Sequence, residues 1–177
     1  MRKAVFPATF DPIHYGHVDI VRRAVAIFDE LIVGVYDHRH PLKRLVFSVE
    51  DRLEMTHVAL KDIERVRVLP YSGLTVDFAL SVGAQAIVRG LRVFSDFELE
   101  FRMALANRRL QPSIEMVCFI ASEEHMYLAS STIREIASLG GDVSSMVPPN
   151  VQLALLAHFS NMGDDASTSV DIVSLRD

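Results

Sequence analysis

Several things are scarce in this chain, and each scarcity excludes a class of function. There is one cysteine, Cys118, among 177 residues. No disulfide can close within the chain, which fits a reducing compartment such as the cytoplasm. Its place in Met116-Val117-Cys118-Phe119-Ile120 predicts a buried small hydrophobe rather than a reactive thiol. No apolar run approaches the roughly 20 residues of a membrane span. Met1-Arg2-Lys3 is basic, but Pro7 and Asp11 interrupt the apolar stretch after it, so the start does not read as a signal peptide. Basic residues are outnumbered: the formal net charge is −5. That argues against general nucleic-acid binding and leaves room for one small anion in a local basic pocket. The glycine-rich phosphate loops are missing: there is no G-x-x-x-x-G-K-[ST], and no G-x-G-x-x-G after the first strand. No Cys/His cluster has structural zinc spacing, and His14 and His17 have no evident third ligand, so no protein metal site is expected.

What is present is an alternating pattern. Half the residues are hydrophobic and 23% are charged, the composition of a globular core. Short β-rich runs fall at Lys3–Phe6, Leu31–Tyr36, Val66–Leu69, Ala86–Val88 and Met116–Ile120. Helical patterns cover His17–Phe28, Ser48–Leu60, Leu74–Val82, Phe94–Leu110, Ser130–Leu139 and Asn150–Phe159. The alternation predicts an α/β fold, a doubly wound five-stranded parallel sheet of Rossmann-like type with C-terminal helices. The continuous apolar strands suit a sheet covered on both faces. Residues 1–160 form one domain in this reading. Residues 161–177 are a polar, loosely ordered tail in which Val170-Asp171-Ile172-Val173 is a candidate docking strand.

In such a sheet, ligands sit beyond the carboxyl ends of the strands. After the first strand, His14-Tyr15-Gly16-His17 opens a helix whose free N–H groups and dipole favour an anion. Gly16 leaves room for a ligand to approach the backbone. Thr9 is read as a phosphate contact, and Asp11 as a residue shaping the turn before Pro12. After the second strand, Asp37-His38-Arg39-His40-Pro41-Leu42-Lys43-Arg44 is basic; Lys43 suits a phosphate whose geometry changes, and Arg39 and Arg44 suit a solvated run. After the fourth strand comes Arg89-Gly90-Leu91-Arg92. Arg89 needs a partner or an anionic ligand there, and Gly90 permits a tight turn. Asp96, Glu98 and Glu100 favour the positive start of the next helix. After the fifth strand, Thr132-Ile133-Arg134-Glu135 fits a capping box, and Ser130 and Ser131 add hydroxyls to a second anion site.

These groups suit attack by a phosphate on a nucleoside triphosphate. A phosphomonoester is already anionic near neutral pH, its second pKa being about 6, so no general base is required. Positioning and aimed cationic donors are what such a reaction needs.

The set Pro7-Ala8-Thr9-Phe10-Asp11-Pro12, His14-Tyr15-Gly16-His17, Arg89-Gly90-Leu91-Arg92 and Ser130-Ser131-Thr132 resembles the (T/H)-x-G-H nucleotidyltransferase superfamily. Within it the chain is similar to the bacterial phosphopantetheine adenylyltransferase family from about Arg2 to Ser160. The resemblance implies transfer of the adenylyl group of ATP to 4′-phosphopantetheine, giving dephospho-coenzyme A and pyrophosphate, with Mg²⁺ carried mainly by the ATP phosphates. By resemblance, His17, Lys43 and Arg92 are catalytic. Thr9, Phe10, Gly90, Leu91, Arg92, Glu100 and the segment His125, Met126, Tyr127, Leu128, Ala129, Ser130, Ser131 join His17 in the ATP site. Thr9, Lys43, Leu74, Thr75, Arg89 and Asn107 meet the phosphopantetheine. The same likeness implies a cytoplasmic homohexamer with coenzyme A as feedback inhibitor. Ala8, His14 and Ala129 depart from the residues usual in the family, and the tail is longer. Two alternatives stand beside this reading. One is a related transferase acting on nicotinate mononucleotide or a phospho-alcohol; the other is a nucleotide-binding regulatory module without turnover.

Overall fold

A computed structural model describes residues 1–37 and 45–163, without the side chains of 161–163. Arg39, Lys43, Arg44 and the segment 164–177 lie outside the described residues. The five expected strands form one parallel sheet. They are β1 Lys3–Ala8, β2 Glu30–Tyr36, β3 Val66–Tyr71, β4 Ala86–Leu91 and β5 Glu115–Ile120. The helices are α1 Tyr15–Ala24, α2 Val49–Leu60, α3 Thr75–Ser81, α4 Phe94–Leu110, α5 Ser130–Ser138 and α6 Pro149–Gly163. The strand order is β3-β2-β1-β4-β5. The chain therefore winds one way from β1 to β3 and the other way through β4 and β5. The switch lies between β1 and β4, where a crevice opens.

Alternation along the strands sorts their side chains to two cores. Ala4, Phe6, Leu31, Val33 and Val88 pack with residues of α1, α2, α5 and α6. Val5, Ile32 and Ile87 face the other way, onto Val76, Phe78 and Ala79 of α3. Because β1, β2 and the start of β4 are covered on both faces, their sequences read as unbroken apolar runs.

Four expectations are corrected, the last of them the burial of Cys118. Arg89 and Gly90 lie inside β4, opposite Cys118 and Phe119 of β5, not beyond the strand's end. A backbone ladder continues without apolar side chains, so β4 outlasts its hydrophobic run. Gly90 makes no turn there; a Cβ on it would collide with Ile20 Cδ1, so its bareness admits the α1 side chain. Thr132 is the third residue of α5, whose N-cap is Ala129 in an extended conformation. The T-x-x-E spacing is therefore not a capping box.

Cys118 is exposed rather than buried. β5 is an edge strand, and α4 gives it little cover. The buried residues of α4 are the polar Glu100 and Asn107. Many of its apolar side chains face outward, with Phe94 85% and Leu105 56% exposed. Partial desolvation by its neighbours, then the Glu100 carboxylate, push the Cys118 thiol up, which keeps it protonated and a poor nucleophile.

Gly34 sits mid-strand in β2, and a Cβ there would meet Phe78 Cε1 at 2.7 Å and Tyr71 Cδ1 at 3.0 Å. The two rings stack, with centroids 4.4 Å apart, and cannot both yield. Gly34→Ala is expected to cost about 1–3 kcal/mol through overpacking, read as a lowered midpoint in urea. An unchanged midpoint would show that the rings yield freely.

Candidate active site

The switch-point crevice is a cavity of about 450 Å³ at the carboxyl ends of β1 and β4. Its walls include Thr9, Phe10, His14, His17, Arg89, Gly90, Arg92, Glu100, His125, Ala129, Ser130 and Ser131. Groups far apart in the sequence thus converge because each follows, or ends, a strand of the same sheet.

The α1 N-terminus supplies the two imidazoles. His14 is the N-cap, and its ring stacks on His17 with centroids 3.7 Å apart. The His14 backbone N–H donates to His17 Nδ1 at 3.3 Å. With Nδ1 accepting, a neutral His17 carries its proton on Nε2. Phe10 meets His17 edge-on at 4.9 Å between centroids. Gly16 lines the cavity, and a Cβ there would lie 3.1 Å from the His14 ring and 3.7 Å from His125 Cβ, so its bareness also accommodates the imidazole.

Both histidines are held neutral. Burial, then the charges of Arg92 and His125, push His14 down to about 3. Burial first, then His14, Arg92 and Arg89, hold His17 well below its ordinary value. His14 Nδ1 is buried without a hydrogen-bond partner among the described residues. Buried native polar atoms are usually paired, so this one marks a place for a ligand or water.

The arginines are held by carboxylates of α4. Arg89 Nε lies 2.9 Å from both Glu100 oxygens, its Nη2 donates to Glu100 Oε1 at 2.6 Å, and its Nη1 donates to the Pro7 carbonyl at 2.7 Å. Arg92 Nε donates to Asp96 Oδ2 at 3.0 Å and its Nη1 to the Leu128 carbonyl at 2.9 Å. Burial alone would raise Asp96, but the Arg92 hydrogen bonds outweigh it and hold the carboxyl below its usual range. Glu100 thus meets Arg89, and Asp96 meets Arg92, beyond any favour to the α4 dipole. Ser130 Oγ donates to the Pro12 carbonyl at 2.8 Å, which ties α5 to the turn after β1.

Not every expected residue lines this cavity. Leu91 and Met126 lie in the neighbouring groove with Phe94 and Phe97. Leu128 is buried and contributes its carbonyl to Arg92, whereas Tyr127 is 62% exposed. Leu74 precedes α3, and the Thr75 hydroxyl pairs with Tyr71 Oη at 3.1 Å. Asn107 lies in α4 with its Nδ2 3.6 Å from Met116 Sδ. Lys43 lies outside the described residues.

The sequence reading understated one group of structural importance, Asp11, and missed another, Arg52. Asp11, read there as a turn former, accepts from the N–H groups of Val46 and Phe47 at 3.0 Å each and faces Arg134 across 3.4 Å. Arg134 also donates to the Asp11 carbonyl. Arg52 is 1% exposed and reaches the carbonyls of Thr9, Tyr36 and Phe47. The available signal for Arg52 was a charge at helical spacing with Met55, Thr56 and Leu60 on one face of α2.

The fold and crevice define an α/β protein with a cationic cleft at its strand-order switch point, and comparison with known proteins gives its class. A family model described as Cytidylyltransferase-like matches residues 5–136. A solved bifunctional NMN adenylyltransferase/ADP ribose pyrophosphatase from Francisella tularensis superposes with a TM-score of 0.69 over 90% of this chain, at 16% identity. The chain spans 50% of that protein, and the likeness concerns the fold. The phosphopantetheine adenylyltransferase of Thermomicrobium roseum is 47% identical over 161 residues, 90% of this chain and 96% of that one. That of Chloroflexus aggregans is 47% identical over 92% of this chain and all of its own length. The chain belongs to the phosphopantetheine adenylyltransferase family.

The neutral histidines set a pH dependence. In the unfolded chain they titrate near 6.5, whereas the folded values are depressed. Between the two, the unfolded state binds more protons, so their contribution to stability is full above about pH 6.5 and falls as pH drops toward the folded values. His14→Gln removes one such group. Its urea midpoint should decline less steeply than that of the parent from about pH 6.5 to about pH 4.5. Parallel declines would show that His14 is not held neutral.

Proposed function

We propose that the crevice binds ATP and 4′-phosphopantetheine side by side and transfers the adenylyl group between them. A phosphate oxygen of the acceptor attacks the α-phosphorus, the bond to the bridging oxygen breaks, and pyrophosphate leaves with that oxygen's electron pair. Dephospho-coenzyme A is the product, and no covalent enzyme intermediate forms. The reading rests on one observation above the rest: His17, Arg89 and Arg92 meet in the same cavity as the strained turn at Phe10.

His17 donates from Nε2 to the oxygens of the α-phosphate, where negative charge accumulates in the transition state. A neutral imidazole suits this task, because it donates without depending on its own protonation state. Arg92 and Lys43 offset the charge of the phosphates as they approach, and Arg89 holds the acceptor phosphate. Three of the five N–H groups of Arg89 are engaged by Glu100 and Pro7, so its orientation is fixed before the phosphate arrives. The backbone of Phe10, with Thr9, Gly90, Leu91, Glu100, His125 and the Met126–Ser131 segment, receives ATP. Leu74, Thr75 and Asn107 line the path of the pantetheine arm.

Mg²⁺ enters with the triphosphate in this reading. The nearby carboxylates of Asp96 and Glu100 are engaged by arginine and that of Asp11 by backbone N–H groups, which suits an ion carried by nucleotide oxygens. A homohexamer is part of the proposal, supported by the apolar side chains that α4 exposes. So are a cytoplasmic location, supported by the lone free thiol, and feedback inhibition by coenzyme A at the same cavity. No helix among the described residues is long and apolar enough to cross a membrane.

The test is pyrophosphate release from ATP with a panel of phosphorylated acceptors. Turnover should be fastest with 4′-phosphopantetheine. His17→Ala should lower kcat on the order of 10²-fold or more while ATP binding changes little. Near-normal turnover in that variant would remove His17 from the chemistry.

A further inference from the structure

Arg52 lies on the inward face of α2, behind the crevice and not part of its lining. Packing does not explain it. An apolar side chain of like volume would fill the same space, and a buried charge is costly to desolvate. Its burial depresses its pKa, and Asp11, Asp37 and Glu50 favour the charged form in return. What distinguishes it is the identity of its partners. Nη1 donates to the carbonyl of Thr9 at 2.5 Å and to that of Tyr36 at 2.9 Å; Nε donates to that of Phe47 at 3.3 Å. One guanidinium therefore joins the segment after β1, the end of β2 and the approach to α2.

The Thr9 contact matters most. The next residue, Phe10, has φ = +50°, a region that bulky side chains seldom adopt and that persists only when surroundings hold it. The peptide between Thr9 and Phe10 is planar, so fixing its carbonyl toward Arg52 turns the Phe10 N–H to the opposite side. We propose that Arg52 is a positioning residue for adenylyl transfer: its grip on the Thr9 carbonyl holds the Phe10 N–H toward the nucleotide phosphates, beside His17. The proposal rests on the reading of the crevice as the ATP site. It assigns Arg52 no contact with substrate.

The experiment compares the full-length parent with Arg52→Lys and Arg52→Met. Thermal melting is followed first, then kcat, the KM for ATP and the KM for 4′-phosphopantetheine by pyrophosphate release, and ATP affinity by calorimetry. Lysine keeps the charge and loses the fork, so Arg52→Lys should fold, yet kcat should fall by about tenfold or more, as small displacements of a reacting group commonly cost. The KM for ATP should rise while that for 4′-phosphopantetheine stays near the parent value. Arg52→Met, where folded, should be worse than Arg52→Lys. A folded variant with parental kcat and ATP affinity overturns the proposal. So does loss of folding in both variants, which would assign Arg52 to stability alone. Parent protein without turnover would overturn the functional reading instead, and the ATP affinities would still decide the role of Arg52.

Discussion

Two imidazoles are buried beside two guanidiniums in one small cavity, and that burial, reinforced by the neighbouring positive charge, governs the site. Both imidazoles are buried there, so a further charge of the same sign is strongly disfavoured. The guanidiniums keep their charge under any ordinary condition. The imidazoles therefore give theirs up. In the proposed reaction the fixed cations meet the incoming phosphates and the neutral N–H donors meet the reacting centre. The His14 backbone N–H then decides which nitrogen of His17 bears the proton.

The cations are themselves made tolerable by α4. Glu100 is buried against Arg89, and Asp96 closes on Arg92. These pairs orient the guanidiniums and limit repulsion while no phosphate is bound. They also explain why α4 is inverted relative to most surface helices. Glu100 is buried because it serves the cavity, Asn107 meets Met116 further along, and many of the helix's apolar residues are left on the outside. Asp11 in the cavity wall and Arg52 behind it hold the chain by its main-chain groups. Asp11 takes up the N–H groups of Val46 and Phe47, Arg52 takes up the carbonyls of Thr9, Tyr36 and Phe47, and between them the segment after β1, the end of β2 and the approach to α2 are joined.

The fold was largely legible in the sequence, because strands covered on both faces must be apolar throughout and α1, α2 and α5 must each present an apolar stripe. The order of elements then left one economical architecture. Legibility failed where the backbone rather than the side chains decides. β4 runs on through Arg89 and Gly90 because ladder pairing is indifferent to side chain. Thr132 fits a capping pattern, yet the helix begins two residues earlier. Cys118 reads as core, but an edge strand under a polar-faced helix leaves it exposed. Within the site, histidine and arginine at strand ends announced themselves. Asp11 and Arg52 did not, since their partners are main-chain atoms remote in sequence, which no residue pattern encodes.

The central claim is that His17 is neutral and carries its proton on Nε2. Nitrogen-15 NMR of the histidine side chains tests it most directly. The account predicts that, from about pH 8 down to about pH 5, an interval spanning the ordinary histidine value, His17 shows a protonated Nε2 and an unprotonated, hydrogen-bonded Nδ1, with no titration. An imidazolium at neutral pH, or a proton resident on Nδ1, would contradict it.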